Sequence, residues 1–197
     1  MMNKEDHNVE VIERYHDYTP PFPIKEIVTA RLCGISAHHL QGLGAVLLTN
    51  YEGLNRQRRR QKIPGRNHKI EVANCGGLYH QKWQGDAATI EIFIDNIISR
   101  SGYPKWMFRI QFFQGMIIGK TLFHEIGHHV QATQFSEYKQ SEEIAEEWRK
   151  RLTREYGSKR FWYLKPLNPL FKLLMCALRA ITKKPHRVDV VKQRCRK

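Results

Sequence analysis

Residues 105–131 carry the longest helical signal in this chain, and its final turns hold three histidines and a glutamate. The run 107–123 is largely apolar, but Arg109, Gln111, Gln114 and Lys120 interrupt it. A bilayer span needs about 20 mostly apolar residues, so a transmembrane reading is rejected. Pro104 precedes the segment, at a place where its missing N–H costs a helix little. An inward stripe runs through Ile110, Phe113, Ile117, Thr121, His124 and His128, at the spacing of one helix face. Such a helix must pack against a core, and that packing draws its polar end inward too. Two bare imidazoles and a carboxylate are expensive to bury there unless something compensates them.

His124-Glu125-Ile126-Gly127-His128 supplies a compensation. Residues four apart lie one above the other on a helix, so His124 and His128 present two imidazoles to one point. That is what a tetrahedral zinc ion asks of its first two ligands. Glu125 is rotated away from direct ligation, yet within reach of a water on the metal, whose pKa zinc lowers to about 7. Two ligands and a general base thus fit on little more than one turn. With ten histidines and fourteen glutamates in the chain, the pattern arises by chance only about 0.04 times. The bland alternative is a hydrogen-bonded histidine pair, and the apolar context weighs against it.

Thr121-Leu122-Phe123-His124-Glu125-Ile126-Gly127-His128-His129-Val130 resembles the active-site helix of the zincin metallopeptidases. The metzincin branch would require a glycine and a further histidine where this chain has Gln131 and Gln134. A SprT-like protease would want a downstream histidine, but after His129 there is only His186, in the basic tail. What remains is similar to the gluzincins, whose third ligand is a glutamate. Glu137, Glu142, Glu143, Glu146 and Glu147 are the candidates. The second predicted helix, residues 139–156, has a core stripe of Ser141, Ile144, Ala145, Trp148 and Leu152. Glu142 lies nearest that stripe, whereas Glu143 points almost directly away. Glu146 and Glu147 have Lys150 and Arg151 four residues on, as solvated ion pairs would. Glu142-Glu143-Ile144-Ala145-Glu146 also follows the Glu-x-x-Ala-acidic pattern of the gluzincin ligand helix, with Glu where Asp is usual. Glu142 therefore ranks first as third ligand and Glu143 second.

The resemblance covers residues 75–155 and implies an α+β fold: a small, twisted, mostly antiparallel sheet packed on an active-site helix and a second ligand helix. It implies one Zn²⁺ ion on His124, His128 and Glu142, with Glu125 as general base in peptide-bond hydrolysis of a peptide or protein substrate. In zincins an edge strand beside the active helix pairs with the extended substrate. Residues 89–95, with Ile90, Ile92 and Ile94 on one face, are the candidate; an ordinary internal strand is the other reading. An oxyanion donor is also needed, and Tyr79, His80, His129 and Tyr138 are all possible. His129, rotated about 100° from His128, reads as a polar neighbour rather than a ligand.

Three segments follow from composition. Residues 1–23 read as a flexible arm ending in Pro20-Pro21-Phe22-Pro23, which forbids regular structure. Residues 24–156 are the domain that the resemblance implies to be zincin-like. Its first helix is expected over 24–36, with strands at 45–48, 69–72 and 89–95, and a tight turn or bulge at Gly76-Gly77-Leu78-Tyr79. Residues 157–197 are a basic, amphipathic extension. Cys33, Cys75, Cys176 and Cys195 form no Cys-x-x-Cys pair, and residues 1–13 do not resemble a signal peptide, so reduced thiols and a cytoplasmic location are expected.

The net charge of +14 favours an anionic partner without specifying a fold. Residues 56–69, with Arg56, Arg58, Arg59, Arg60, Lys62, Arg66 and Lys69, could contact phosphates, although a solvated loop explains them as well. Residues 161–184 mix Trp162, Leu170, Phe171, Leu173, Leu174 and Leu178 with lysine and arginine. They suit either peripheral attachment to an anionic membrane surface or a final packed helix. The alternative to a peptidase is accordingly a zincin-fold regulatory or nucleic-acid-binding protein with narrow or absent proteolysis.

Overall fold

A computed structural model describes residues 9–63, 69–82, 85–135 and 141–160. The chain divides into two units, Met1–Arg160 and Phe161–Lys197. The expectations for residues 64–68 and for the extension beyond Arg160 lie outside the described residues, as do Glu137 and Tyr138.

In chain order the elements are β1 (Glu10–Glu13), α1 (Ile24–Cys33), β2 (Leu43–Thr49), α2 (Arg56–Arg60), β3 (Lys62–Ile63), β4 (Ile70–Glu71), β5 (Gly77–His80), β6 (Ala88–Phe93), α3 (Ile94–Arg100), α4 (Gln111–Gln134) and α5 (Glu142–Arg160). The fold is α+β. Four strands make the main sheet in the order β1-β2-β6-β5, and β3 pairs with β4 as a separate two-stranded ribbon. The sheet is mixed rather than mostly antiparallel: β1 and β6 both run parallel to β2, and only β5 runs antiparallel, to β6. The reason is connectivity. α1 carries the chain from β1 back to the start of β2, and such a crossover yields parallel neighbours. Residues 10–13 accordingly join the sheet and do not belong to an arm.

β6 is an interior strand, flanked by β2 and β5, so the edge beside α4 is β5. In the segment read as a turn or bulge, Gly76 forms a bend and Gly77 begins this edge strand. Ile90 and Ile92, with Val46 and Leu48 of β2, face α1 and α4 and are fully buried with Val28, Ile118, Leu122 and Ile126. Burying each such side chain stabilises by about 1.5–3 kcal/mol. The opposite face, expected to be partly wet, is covered at its Phe93 end, while Thr89 stays part-exposed. Phe93 packs there with Leu54, Val72 and Cys75, and Glu91 is buried at 6% exposure.

The predicted helix over 105–131 is broken near its start. Lys105–Arg109 form a 3-10 turn, Ile110 is extended (φ −100°, ψ 114°) and α4 begins at Gln111. Phe108 anchors the turn by stacking on Phe22, with ring centres 6.0 Å apart. The Gln114 side chain donates a hydrogen bond to the Phe108 carbonyl at 2.6 Å. Ile110, placed on the inward stripe from sequence, is 40% exposed. Among the described residues no helix is long and apolar enough to cross a membrane, and Cys33 and Cys75 are free thiols.

Candidate metal centre

α4 is buried on most of its circumference, because the sheet, α1 and α5 all pack on it. Only one face of its C-terminal half stays partly open, and His124 and His128 occupy it, with side chains 24% and 13% exposed. Their rings stand nearly perpendicular, with centres 4.9 Å apart.

α5 returns antiparallel-fashion across this face because the helices can come very close. A Cβ on Gly127 would lie 2.6 Å from the Ala145 carbonyl oxygen and 3.1 Å from its Cα. Both are backbone atoms and cannot rotate aside. The start of α5 is fixed by the buried Gln131 side chain, whose Oε1 accepts a hydrogen bond from the Ser141 N–H at 3.1 Å. This places Glu142 over the two imidazoles. Its Oε2 is 3.2 Å from His124 Nε2 and its Oε1 is 3.5 Å from His128 Nε2. One ligand atom from each of the three residues lies within 4.8 Å of the other two. Glu143 is turned outward and accepts a hydrogen bond from the Ser141 hydroxyl at 2.9 Å.

These distances suit a small cation. Ligand bonds of 2.0–2.1 Å in a tetrahedron put donor atoms about 3.3 Å apart, and the two histidine–glutamate separations bracket that value. The electrostatics agree. Hydrogen bonds to His124 and His128 hold the Glu142 carboxyl well below the usual carboxylate range, against the opposing effect of its burial. Burial alone would lower the pKa of His124, but the hydrogen bond to Glu142 and the charges of Glu125, Glu142 and Glu146 raise it. A bound cation would take over the role of those protons, because ligating imidazoles must be neutral. His128 Nδ1 is buried and finds no hydrogen-bond partner among the described residues.

Glu146 was expected to be a solvated ion-pair residue. Its carboxylate is held by both Nε and Nη2 of Arg149, at 2.7 and 2.6 Å, and its Oε2 lies 3.9 Å from His124 Nδ1. It therefore faces the back of one imidazole while a cation pins it from behind.

Glu125 is not one of the three clustered groups. It is 6% exposed and lies against β5, where a Cβ on Gly77 would come 2.8 Å from its Cγ and 2.9 Å from its Oε1. Burial raises its pKa, while His128, His124 and the backbone N–H of Tyr79, which donates to the carboxylate, offset part of that rise. Gly77 and this backbone contact were not recognised from sequence. The available signal was the glycine pair itself, since glycine in a strand often marks a close approach.

The oxyanion-donor candidates among the described residues, Tyr79, His80 and His129, are engaged elsewhere. His129 is fully buried, with Nε2 3.1 Å from the Gln41 carbonyl oxygen and Nδ1 3.3 Å from the Tyr79 hydroxyl. A carbonyl only accepts, so Nε2 carries the proton and the Tyr79 hydroxyl donates to Nδ1. Burial lowers the pKa of His129 and keeps the ring neutral. His80 points to the other sheet face, 3.1 Å from Glu91 Oε2. Arg58 grips the same carboxylate at 3.2 and 2.6 Å. Arg59 pairs with Glu52 at 2.9 Å and stacks over Tyr51. Two arginines of the basic 56–69 segment thus serve internal contacts. A concavity of about 610 Å³ adjoins Arg58, His80 and Glu91, and none of the three clustered residues lines it.

A scan of protein-family models, a search of curated proteins and a search of solved structures find no match to this chain.

Proposed function

We propose that this chain is a zinc-dependent endopeptidase of gluzincin type, with one zinc ion held by His124, His128 and Glu142. The observation that carries this reading is the pair of Glu142 contacts, 3.2 and 3.5 Å from the two Nε2 atoms. Zinc bound by these residues would polarise a scissile carbonyl and acidify a water molecule. Glu125 has the properties of a general base. It is buried, its pKa is raised, and it stands one residue from a ligand. In this role it accepts the proton of the attacking water and delivers it to the leaving amine. A purely structural site has no use for such a carboxylate. β5 is the sheet edge beside α4, so an extended peptide can pair along it by strand addition. The competing reading, a nucleic-acid-binding protein, is not favoured, because Arg58 and Arg59 are engaged within the fold.

The test is elemental analysis of the purified protein together with cleavage of an unfolded protein substrate. Wild type, Glu125→Gln and Glu143→Gln should each carry one zinc, and Glu142→Gln should lose it. Glu125→Gln should lose cleavage while keeping its metal. Zinc-free wild type under zinc-replete conditions would refute the proposal.

A further inference from the structure

Five of the six exposed large hydrophobic side chains among the described residues fall together, Phe135 at the far end of α4 being the sixth. Tyr103, Trp106, Ile110, Phe112 and Met116 are 40%, 59%, 40%, 52% and 38% exposed, and they lie on the 3-10 turn and first turns of α4 or just before them. Phe112, Met116 and Lys120 stand four apart and are all exposed, so they form one outer stripe of α4. The turn interleaves the same chemistry, with Trp106 and Ile110 alternating with exposed Lys105 and Arg109. Five large apolar side chains exposed within fourteen residues are unfavourable in water and mark an interaction site.

Charge selects the partner. Between Asp95 and Glu125 the sequence has no acidic residue, while Arg100, Lys105, Arg109 and Lys120 supply four cations. A second copy meeting this face about a two-fold axis would set those cations against themselves. An anionic lipid surface complements both features at once. Trp and Tyr rings favour the headgroup boundary, aliphatic side chains enter the acyl edge, and each nearby lysine or arginine adds attraction to lipid phosphate.

We infer that Tyr103, Trp106, Ile110 and Met116, ringed by Lys105, Arg109 and Lys120, form a docking face for anionic membranes. The face runs along α4 into the partly open side that carries His124, one turn beyond Lys120, and the inference does not depend on the peptidase reading. It also differs from the basic 161–184 segment.

The experiment is co-sedimentation of the full chain with vesicles of phosphatidylcholine alone, and of phosphatidylcholine with roughly one-third phosphatidylserine. Two double variants are compared: Trp106→Ser with Ile110→Ser, and Lys105→Glu with Arg109→Glu. All four positions are exposed, and circular dichroism verifies that each variant stays folded. Wild type should bind the anionic vesicles and not the neutral ones. Each double variant should weaken binding at least about tenfold. The inference is overturned if wild type binds neither vesicle, or if both variants bind as wild type does, which would shift attachment to the basic tail. It is equally overturned if sedimentation velocity shows a wild-type dimer that Trp106→Ser with Ile110→Ser dissolves.

Discussion

The backbone of Gly77 lies so close to Glu125 that an added methyl group would stand 2.8 Å from the Glu125 Cγ. The carboxylate proposed as general base is therefore seated by the absence of a side chain on the neighbouring strand. Gly77→Ala should push Glu125 off that seat and away from the Tyr79 N–H. Cleavage is expected to fall roughly 100-fold, the scale of a 1 Å misplacement, with zinc content unchanged. Paired activity and elemental measurements check this, and a Gly77→Ala protein with full activity would contradict the seat.

Gly127 performs a different task, letting α5 approach α4. Ala at 127 would face the Ala145 backbone at 2.6 Å, and the helices must separate to admit it. Better helix propensity returns about 1 kcal/mol, but overpacking takes about 1–3 kcal/mol. Urea denaturation should show a net loss of roughly 1 kcal/mol. Zinc affinity should drop with it, because Glu142 moves with α5.

Glu146 faces His124 Nδ1 at 3.9 Å. Partners behind a ligating imidazole usually matter 10–100-fold for metal affinity. At this distance Glu146→Ala should weaken zinc binding by roughly tenfold, measured by competition against a chelating dye. Glu147→Ala, altering an exposed neighbour, should leave the affinity where it is.

The Arg58–Glu91 pair predicts an acid-sensitive fold. Burial of Glu91 would raise its pKa, but hydrogen bonds from His80 and Arg58 outweigh that and lower it below 4.5. A depressed carboxyl contributes stability that is complete above its unfolded value and is lost as pH falls through the folded one. Unfolding free energy should therefore decline below about pH 4.5, and Glu91→Gln should flatten part of that decline. Arg58→Ala leaves the buried carboxylate with His80 alone and should cost roughly 2 kcal/mol at neutral pH.

Different parts of this molecule were legible to different degrees. The stripe of Ala145, Trp148 and Leu152 orients α5 well enough to distinguish Glu142 from Glu143, because helical period converts sequence spacing directly into direction. Strand order is not encoded that way. Residues 10–13 look like the end of a proline-bounded arm, and nothing local reveals that α1 returns the chain to lay β2 parallel to them. β5 was hidden for a related reason. Glycine has poor strand propensity, and the place of Gly77 in the sheet is justified by Glu125 and Thr121 across the gap. Likewise Pro104 and the apolar run suggest one long helix, whereas the buried Phe108 and its stack on Phe22 hold a separate turn.

The three clustered side chains come from consecutive helices, and Glu142 is only 18 residues beyond His124. The seat of Glu125 is assembled from much farther away: Gly77 on β5 stands 48 residues before it. Closing a short loop loses less chain entropy than closing a long one, and local contacts form early. A folding chain can thus gather the three proposed ligands in a helical hairpin before β5 has docked. On the proposed function it would then hold zinc with no seated base, and activity would wait for β5.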